Sequence, residues 1–227
     1  MTTQEFFEQL DTRIAKYDLL CHPFYKAWAA GELTREDLRE YGREYYSQVE
    51  AFPSYLEEFA ARVPDTSLRR VILANRDDEN GADGSRAHAD LWLDFVEGMG
   101  GDRNQHQALT PEVENLVNWF HSTAREGAPQ EALAAFYAYE SQVPRVAAEK
   151  ARGLSEMYGA DEKTCGYFTL HTTADVHHSR VWRNQLAKLV ENNSEAAANA
   201  LDAGEKAAKA LWNALDGIEA KRLARAA

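Results

Sequence analysis

The stretch Leu170-His171-Thr172-Thr173-Ala174-Asp175-Val176-His177-His178 decides how the rest of the chain is read. Taken as helix, residues 171, 175 and 178 fall at i, i+4 and i+7, and at about 100° per residue they project within a narrow arc. Two imidazoles and a carboxylate on one face offer the nitrogen and oxygen donors that suit iron, manganese or zinc. His177 points roughly 100° away and is not counted as a ligand. A solvated polar face accounts for the same spacing, since exposed polar residues are common. Further donors must therefore decide.

Glu140 supplies one. It interrupts the apolar, aromatic run Ala134-Ala-Phe-Tyr-Ala-Tyr-Glu140-Ser-Gln-Val-Pro144, where a carboxylate has to be paired, protonated or metal-bound. Glu79 and His88 flank a glycine-containing break at residues 80–85, with His88 ahead of Leu91-Trp92-Leu93. Each has a plain alternative: Glu79 belongs to the acidic run Asp77-Asp78-Glu79, and a single histidine is more often structural. Together, Glu79, His88, Glu140, His171, Asp175 and His178 make a set of three histidines and three carboxylates from separate helices. Such a set suits two first-row metals, and bridging carboxylates suit dioxygen reduction.

The helical reading extends over the whole chain. No alternating β-branched run is found, and the six prolines and 13 glycines gather mostly at helix junctions. The pattern predicts helices over about 3–18 and 22–30, with Gly31 as a stop. Thr34-Arg35-Glu36-Asp37 is a capping-box variant opening a long helix whose buried stripe is Leu38, Tyr41, Tyr45, Val49 and Phe52, with Pro53 as a candidate kink. Further helices are predicted over 67–80, 86–99, 110–125, 128–156, 161–190 and 194–225, the last rich in Ala, Glu, Lys and Leu. The expectation is an all-α bundle of seven or eight helices forming a single domain over residues 1–227.

At 227 residues and 44% hydrophobic content the chain can fill a substantial core. A formal charge of −12 argues against a nucleic-acid partner and disfavours an anionic membrane surface. Cys21 and Cys165 stand far apart in no CxxC pattern, which indicates neither a disulfide framework nor a thiolate zinc site. The start MTTQEFFEQL lacks a signal peptide's basic and apolar regions, so a cytoplasmic location is expected.

These residues carry a resemblance. His22-Pro-Phe-Tyr25-Lys-Ala-Trp28, Gly31-Glu-Leu-Thr34, Tyr45-Tyr46, Ala51-Phe-Pro-Ser-Tyr55-Leu56, Asn75 to Glu79, Tyr139-Glu-Ser-Gln-Val-Pro-Arg145 and the His171–His178 run resemble the Chlamydia protein associating with death domains (CADD) family. That family lies among the haem-oxygenase-like dimetal oxygenases, related in fold to pyrroloquinoline quinone synthase C and TenA. The resemblance runs over nearly the whole chain. It implies a haem-oxygenase-like bundle whose metal ligands are the same six residues. The segment between Glu79 and His88 is about two residues longer than in the chlamydial member, which makes Asp78 a rival to Glu79.

The resemblance also implies a reaction: production of p-aminobenzoate for folate synthesis by oxygen-dependent conversion of one of the protein's own tyrosines. The sacrificed residue would be Tyr25 and the amine donor Lys150, with an iron or iron/manganese pair, O2, an external reductant and a homodimeric assembly. A straight helix from Glu140 would put Lys150 about 80° off the same face and about 15 Å along the axis, a long reach for direct transfer. Tyr41 and Tyr45 share one face of their helix and are read as electron relays, as alternative oxidation sites or as core packing. Two other functions stay open: oxidation of an external small molecule at the same metals, and a non-catalytic protein-interaction module. A thiaminase-like role finds no cysteine placed by motif.

Overall fold

Capping and breaking residues lay out the helices of the computed structural model, which describes residues 1–82, 84–104 and 109–226. Among the described residues are eleven α-helices, one 3-10 turn at Leu19–Cys21 and no strand. In chain order they are α1 (Thr3–Ala15), α2 (Pro23–Ala29), α3 (Arg35–Arg62), α4 (Thr66–Glu79), α5 (His88–Gly98), α6 (Pro111–Glu126), α7 (Pro129–Glu140), α8 (Val143–Tyr158), α9 (Glu162–His171), α10 (Ala174–Val190) and α11 (Ser194–Ala226). None is long and apolar enough to cross a membrane. Of the break expected at residues 80–85, residue 83 lies outside the described residues.

The Thr34 capping box forms as read: the Asp37 amide donates to the Thr34 hydroxyl oxygen, and the Thr34 amide donates to the Asp37 carboxylate. α3 then runs unbroken through Pro53, with Leu38, Tyr41, Tyr45, Val49 and Phe52 all buried. Gly31, at φ +72°, supplies the left-handed residue after α2. α7 is buried at every residue from Ala132 to Glu140 and packs against α10 and α11, which places it in the middle of the bundle.

The helix count among the described residues exceeds the expected seven or eight: the nine segments read from the sequence are all helical, the short α2 included, and two long ones each break in two. The helix read over 128–156 stops at Glu140 and restarts at Val143. Pro144 has no N–H to donate to the Glu140 carbonyl, so the ladder is interrupted there. The helix read over 161–190 stops at His171 and restarts at Ala174. There the Thr172 and Thr173 hydroxyls donate back to the carbonyls of Thr169 and Leu170, a local pattern that competes with the helical ladder. His171 and the Asp175–His178 pair therefore do not share one helical face. They approach one point from the end of α9 and the start of α10.

Candidate metal centre

Helix termini build the site. Glu79 is the last residue of α4, His88 the first of α5, Glu140 the last of α7, His171 the last of α9 and Asp175 the second of α10, with His178 a turn further on. All six are between 1% and 6% exposed. Their donor atoms converge in two groups, each within 4.8 Å: Glu79, His88 and His171 in one, and Glu79, Glu140, Asp175 and His178 in the other. Glu79 belongs to both groups.

The histidine orientations fit this use. His171 Nδ1 lies 2.7 Å from the Tyr167 carbonyl, so that nitrogen carries the proton and Nε2 is left as a donor. His178 turns Nδ1 toward Asp175 (3.3 Å) and Glu140 (3.7 Å), while its Nε2 lies 2.9 Å from Asp78. His88 Nδ1 lies 2.8 Å from Glu79 Oε2 yet is left without an aligned hydrogen-bond partner. Two donors bound side by side to one first-row ion at about 2.1 Å sit about 3 Å apart, so this spacing fits two ligands of one ion. Asp78, with its side chain 45% exposed, is the outer hydrogen-bond partner of His178, and the buried Glu79 is the ligand-placed carboxylate of the two.

Electrostatics point the same way. Burial first, then the neighbouring Asp175 charge, pushes the Glu140 carboxyl well above its usual range. Its Oε1 accepts from Asn75 Nδ2 at 3.1 Å and its Oε2 from Trp182 Nε1. Burial pushes His171 down to about 4. Burial also opposes charge on His178, but its hydrogen bond to Asp175 and the charges of Glu140, Asp175 and Glu79 outweigh it, and the ring is held up at about 9. Without an ion, a protonated imidazole supplies the positive charge that these carboxylates demand. The residues fit two first-row cations in donor type, burial and charge.

A second cluster lies nearby. Lys150, 6% exposed, donates from Nζ to Tyr41 Oη at 2.5 Å, and Tyr41 Oη is 3.0 Å from Tyr25 Oη. The same Nζ stands over the Tyr25 ring, 4.3 Å from its centroid. Burial holds the Lys150 amine well below its usual pKa, and it likewise raises the Tyr25 and Tyr41 phenols. The break at 141–142 ends the straight helix on which a step of about 15 Å from Glu140 depended. Tyr45 stacks on Tyr41 with ring centroids 5.6 Å apart.

Two residues with no role read from the sequence join the clusters. A cavity of about 30 Å³ beside Tyr25 and Lys150 and one of about 10 Å³ beside Glu79, Glu140, His171 and Asp175 share Tyr139 and Tyr167 as lining. The Tyr167 ring stacks on His171 with ring centroids 4.0 Å apart. Tyr167 stands four residues before His171, the spacing that puts two side chains on one helix face. Asn75 and Trp182, which hold Glu140, gave no chemical signal of their own. The Cys165 thiol is pushed up by burial, the opposite of an activated nucleophile, and Cys21 is exposed.

Known proteins similar to this chain include metal-containing ones. Residues 39–212 match the model of a family described as iron-containing redox enzymes. The chain is 39% identical to the 4-aminobenzoate synthase of Nitrosomonas europaea, over 96% of this chain and 92% of that protein. It is 35% identical to the 4-aminobenzoate synthase of Chlamydia trachomatis, over 94% and 91%. A domain of unknown function with a haem-oxygenase-like fold from Shewanella denitrificans superposes with a TM-score of 0.82 at 15% identity, covering 98% of this chain and 94% of that one.

Proposed function

The chain belongs to the haem-oxygenase-like family of iron-containing redox enzymes, and from that premise we propose that it is a self-sacrificing, oxygen-dependent p-aminobenzoate synthase. Glu79, His88, Glu140, His171, Asp175 and His178 would hold two ions, iron or an iron/manganese pair. Bound there, with an external reductant, the ions supply the activation of dioxygen.

Carbon arithmetic supports a tyrosine as the source. p-Aminobenzoate has seven carbons, and a tyrosine ring with its Cβ has seven. Breaking the Cα–Cβ bond and oxidising Cβ gives the carboxylate, and the amine must replace the phenol oxygen para to it. The observation that carries the reading is Lys150 Nζ, buried over the face of the Tyr25 ring at 4.3 Å. A depressed amine pKa leaves a lone pair for addition to the ring carbon bearing the hydroxyl once O2 has taken two electrons from the ring. The phenol oxygen leaves as water, and the two-electron oxidation passes to Lys150 Cε as the ring regains aromaticity. Hydrolysis of the Cε=Nζ bond leaves an aldehyde on the lysine and the amine on the ring. Tyr41, within hydrogen-bond distance of both groups, can move protons between the phenol and the amine. Tyr139 and Tyr167 line both this chamber and the cavity at the ligands and so stand between the two.

The test is isotopic. Protein carrying ring-labelled tyrosine, loaded with iron or iron and manganese, reduced and exposed to O2, should release labelled p-aminobenzoate in at most one equivalent, and its mass should fall at Tyr25. Tyr25→Phe should bind metal normally and release none. Multiple-turnover chemistry that survives Tyr25→Phe would assign the centre to an external substrate instead.

A further inference from the structure

Six ligands at most 6% exposed pose a supply problem: an ion has to reach them from water. The cavity of about 10 Å³ among them holds roughly one water, whereas a hexahydrated ion displaces about 200 Å³ at about 30 Å³ per water. A cleft of about 590 Å³ lies between α4 and α10, lined by Val71, Ala74 and Val181 on its apolar side and by Asn75, Asp77, Asp78 and His177 on its polar side, with the ligand His178 also in its lining. Two of these residues touch the centre directly: Asn75 through Glu140 at 3.1 Å and Asp78 through His178 at 2.9 Å. Asn75 is only 6% exposed, and its Oδ1 has no hydrogen-bond partner, which leaves a buried acceptor at the cleft. A buried acceptor without a donor calls for one or for a cation.

The geometry points to this cleft as the port through which divalent metal is loaded. Oxygen and nitrogen donors from Asp77, Asp78, Asn75 and His177 replace waters of the incoming ion, and Glu140, Asp175 and His178 receive it. The Glu79, His88 and His171 position shares no lining residue with the cleft and is filled only through the first. One position is thus outer and exchangeable, the other inner and slow.

This inference rests on the dimetal reading but not on the identity of the substrate. Apo protein is mixed anaerobically with Mn(II) or Fe(II) alone, and uptake, final stoichiometry and release to a chelator are followed. Ala74→Trp, which fills the cleft from an exposed position, and the double variant Asp77→Asn/His177→Gln, which removes donors and charge, should each slow uptake by about tenfold while reaching wild-type stoichiometry. The double variant carries the test should the tryptophan disturb the fold, as circular dichroism would report. Release from wild type should show one fast and one slow ion per chain. Wild-type uptake rates in the variants, or a single release phase for both ions, would overturn the port alone. Failure of the wild-type chain to bind either metal overturns the port and the dimetal centre together.

Discussion

Lys150 shows at the level of one side chain how function and stability oppose each other. Its amine is buried with its pKa depressed by desolvation, and Tyr41 is its one hydrogen-bond acceptor among the described residues. Lys150→Met keeps the volume and removes the buried polar group, so it should stabilise the fold at pH 7 by about 1–3 kcal/mol in urea unfolding while abolishing p-aminobenzoate formation. The unfolded lysine binds a proton that the folded one does not, so wild-type stability rises with pH toward the unfolded pKa of about 10.4. The gap between variant and wild type should accordingly narrow between pH 7 and 9.5. Asp78 makes the complementary case: as the partner of His178 Nε2 it fixes the ring, and Asp78→Asn should weaken one of the two ions about 10–100-fold in chelator competition. Affinity within twofold of wild type would remove Asp78 from the centre. The six candidate donors, which the structure gathers into two groups, were legible by donor type and by setting, above all a glutamate inside an aromatic run. Tyr139, Tyr167, Asn75 and Trp182 were not, because nothing in their chemistry marks them until packing turns them toward the ligands.

At the level of helices, the start of α3 was legible from the Thr34 capping box, and the structure shows Asp65, Thr110 and Asp161 capping α4, α6 and α9 in the same way, their side chains accepting from first-turn amides. The two breaks were missed for a physical reason. Neither Ser141-Gln142 nor Thr172-Thr173 contains glycine, and the stop comes from a missing N–H at Pro144 in one case and from threonine back-bonding in the other. The close approach of α8 to α2 was equally hidden. It depends on Gly153, where an added Cβ would lie 2.9 Å from the Trp28 ring. Trp28 is 1% exposed and cannot yield, and this contact lets α8 bring Lys150 over Tyr25. Gly153→Val should destabilise the protein by about 1–3 kcal/mol through overpacking. It should also lower the yield of p-aminobenzoate more than it lowers metal content, which mass spectrometry and metal analysis of the same sample can separate.

For the molecule as a whole, the fold class was legible from absent strand signals and continuous helical periodicity, whereas the adjacency of the two chambers was not, since it depends on which helices pack together. The metal-free centre sets a global pH response. His171, held at about 4, contributes stability that is present above its unfolded pKa of about 6.5 and lost as pH falls toward 4. His178, held at about 9, contributes stability that is present below about 6.5 and lost as pH rises through 9. These two imidazoles together therefore favour the apo fold most near pH 6.5, with limbs of at most about 3 kcal/mol each, a contribution read as the difference between apo and holo profiles because the Lys150 contribution is common to both. Bound cations should raise the melting temperature and flatten the alkaline limb, because they replace the imidazolium; parallel apo and holo melting profiles from pH 5 to 9 would show this, and identical profiles would contradict it. Tyr25 sits 4% exposed among Phe24, Trp28 and Tyr41. On the proposed chemistry, a chain that has delivered its ring keeps a hollow there, a loss comparable to trimming a core phenylalanine at about 3–5 kcal/mol. Against a typical folding stability of about 5–15 kcal/mol, the spent chain would then be marked by its own instability, and p-aminobenzoate output would be metered by how fast new chains are translated.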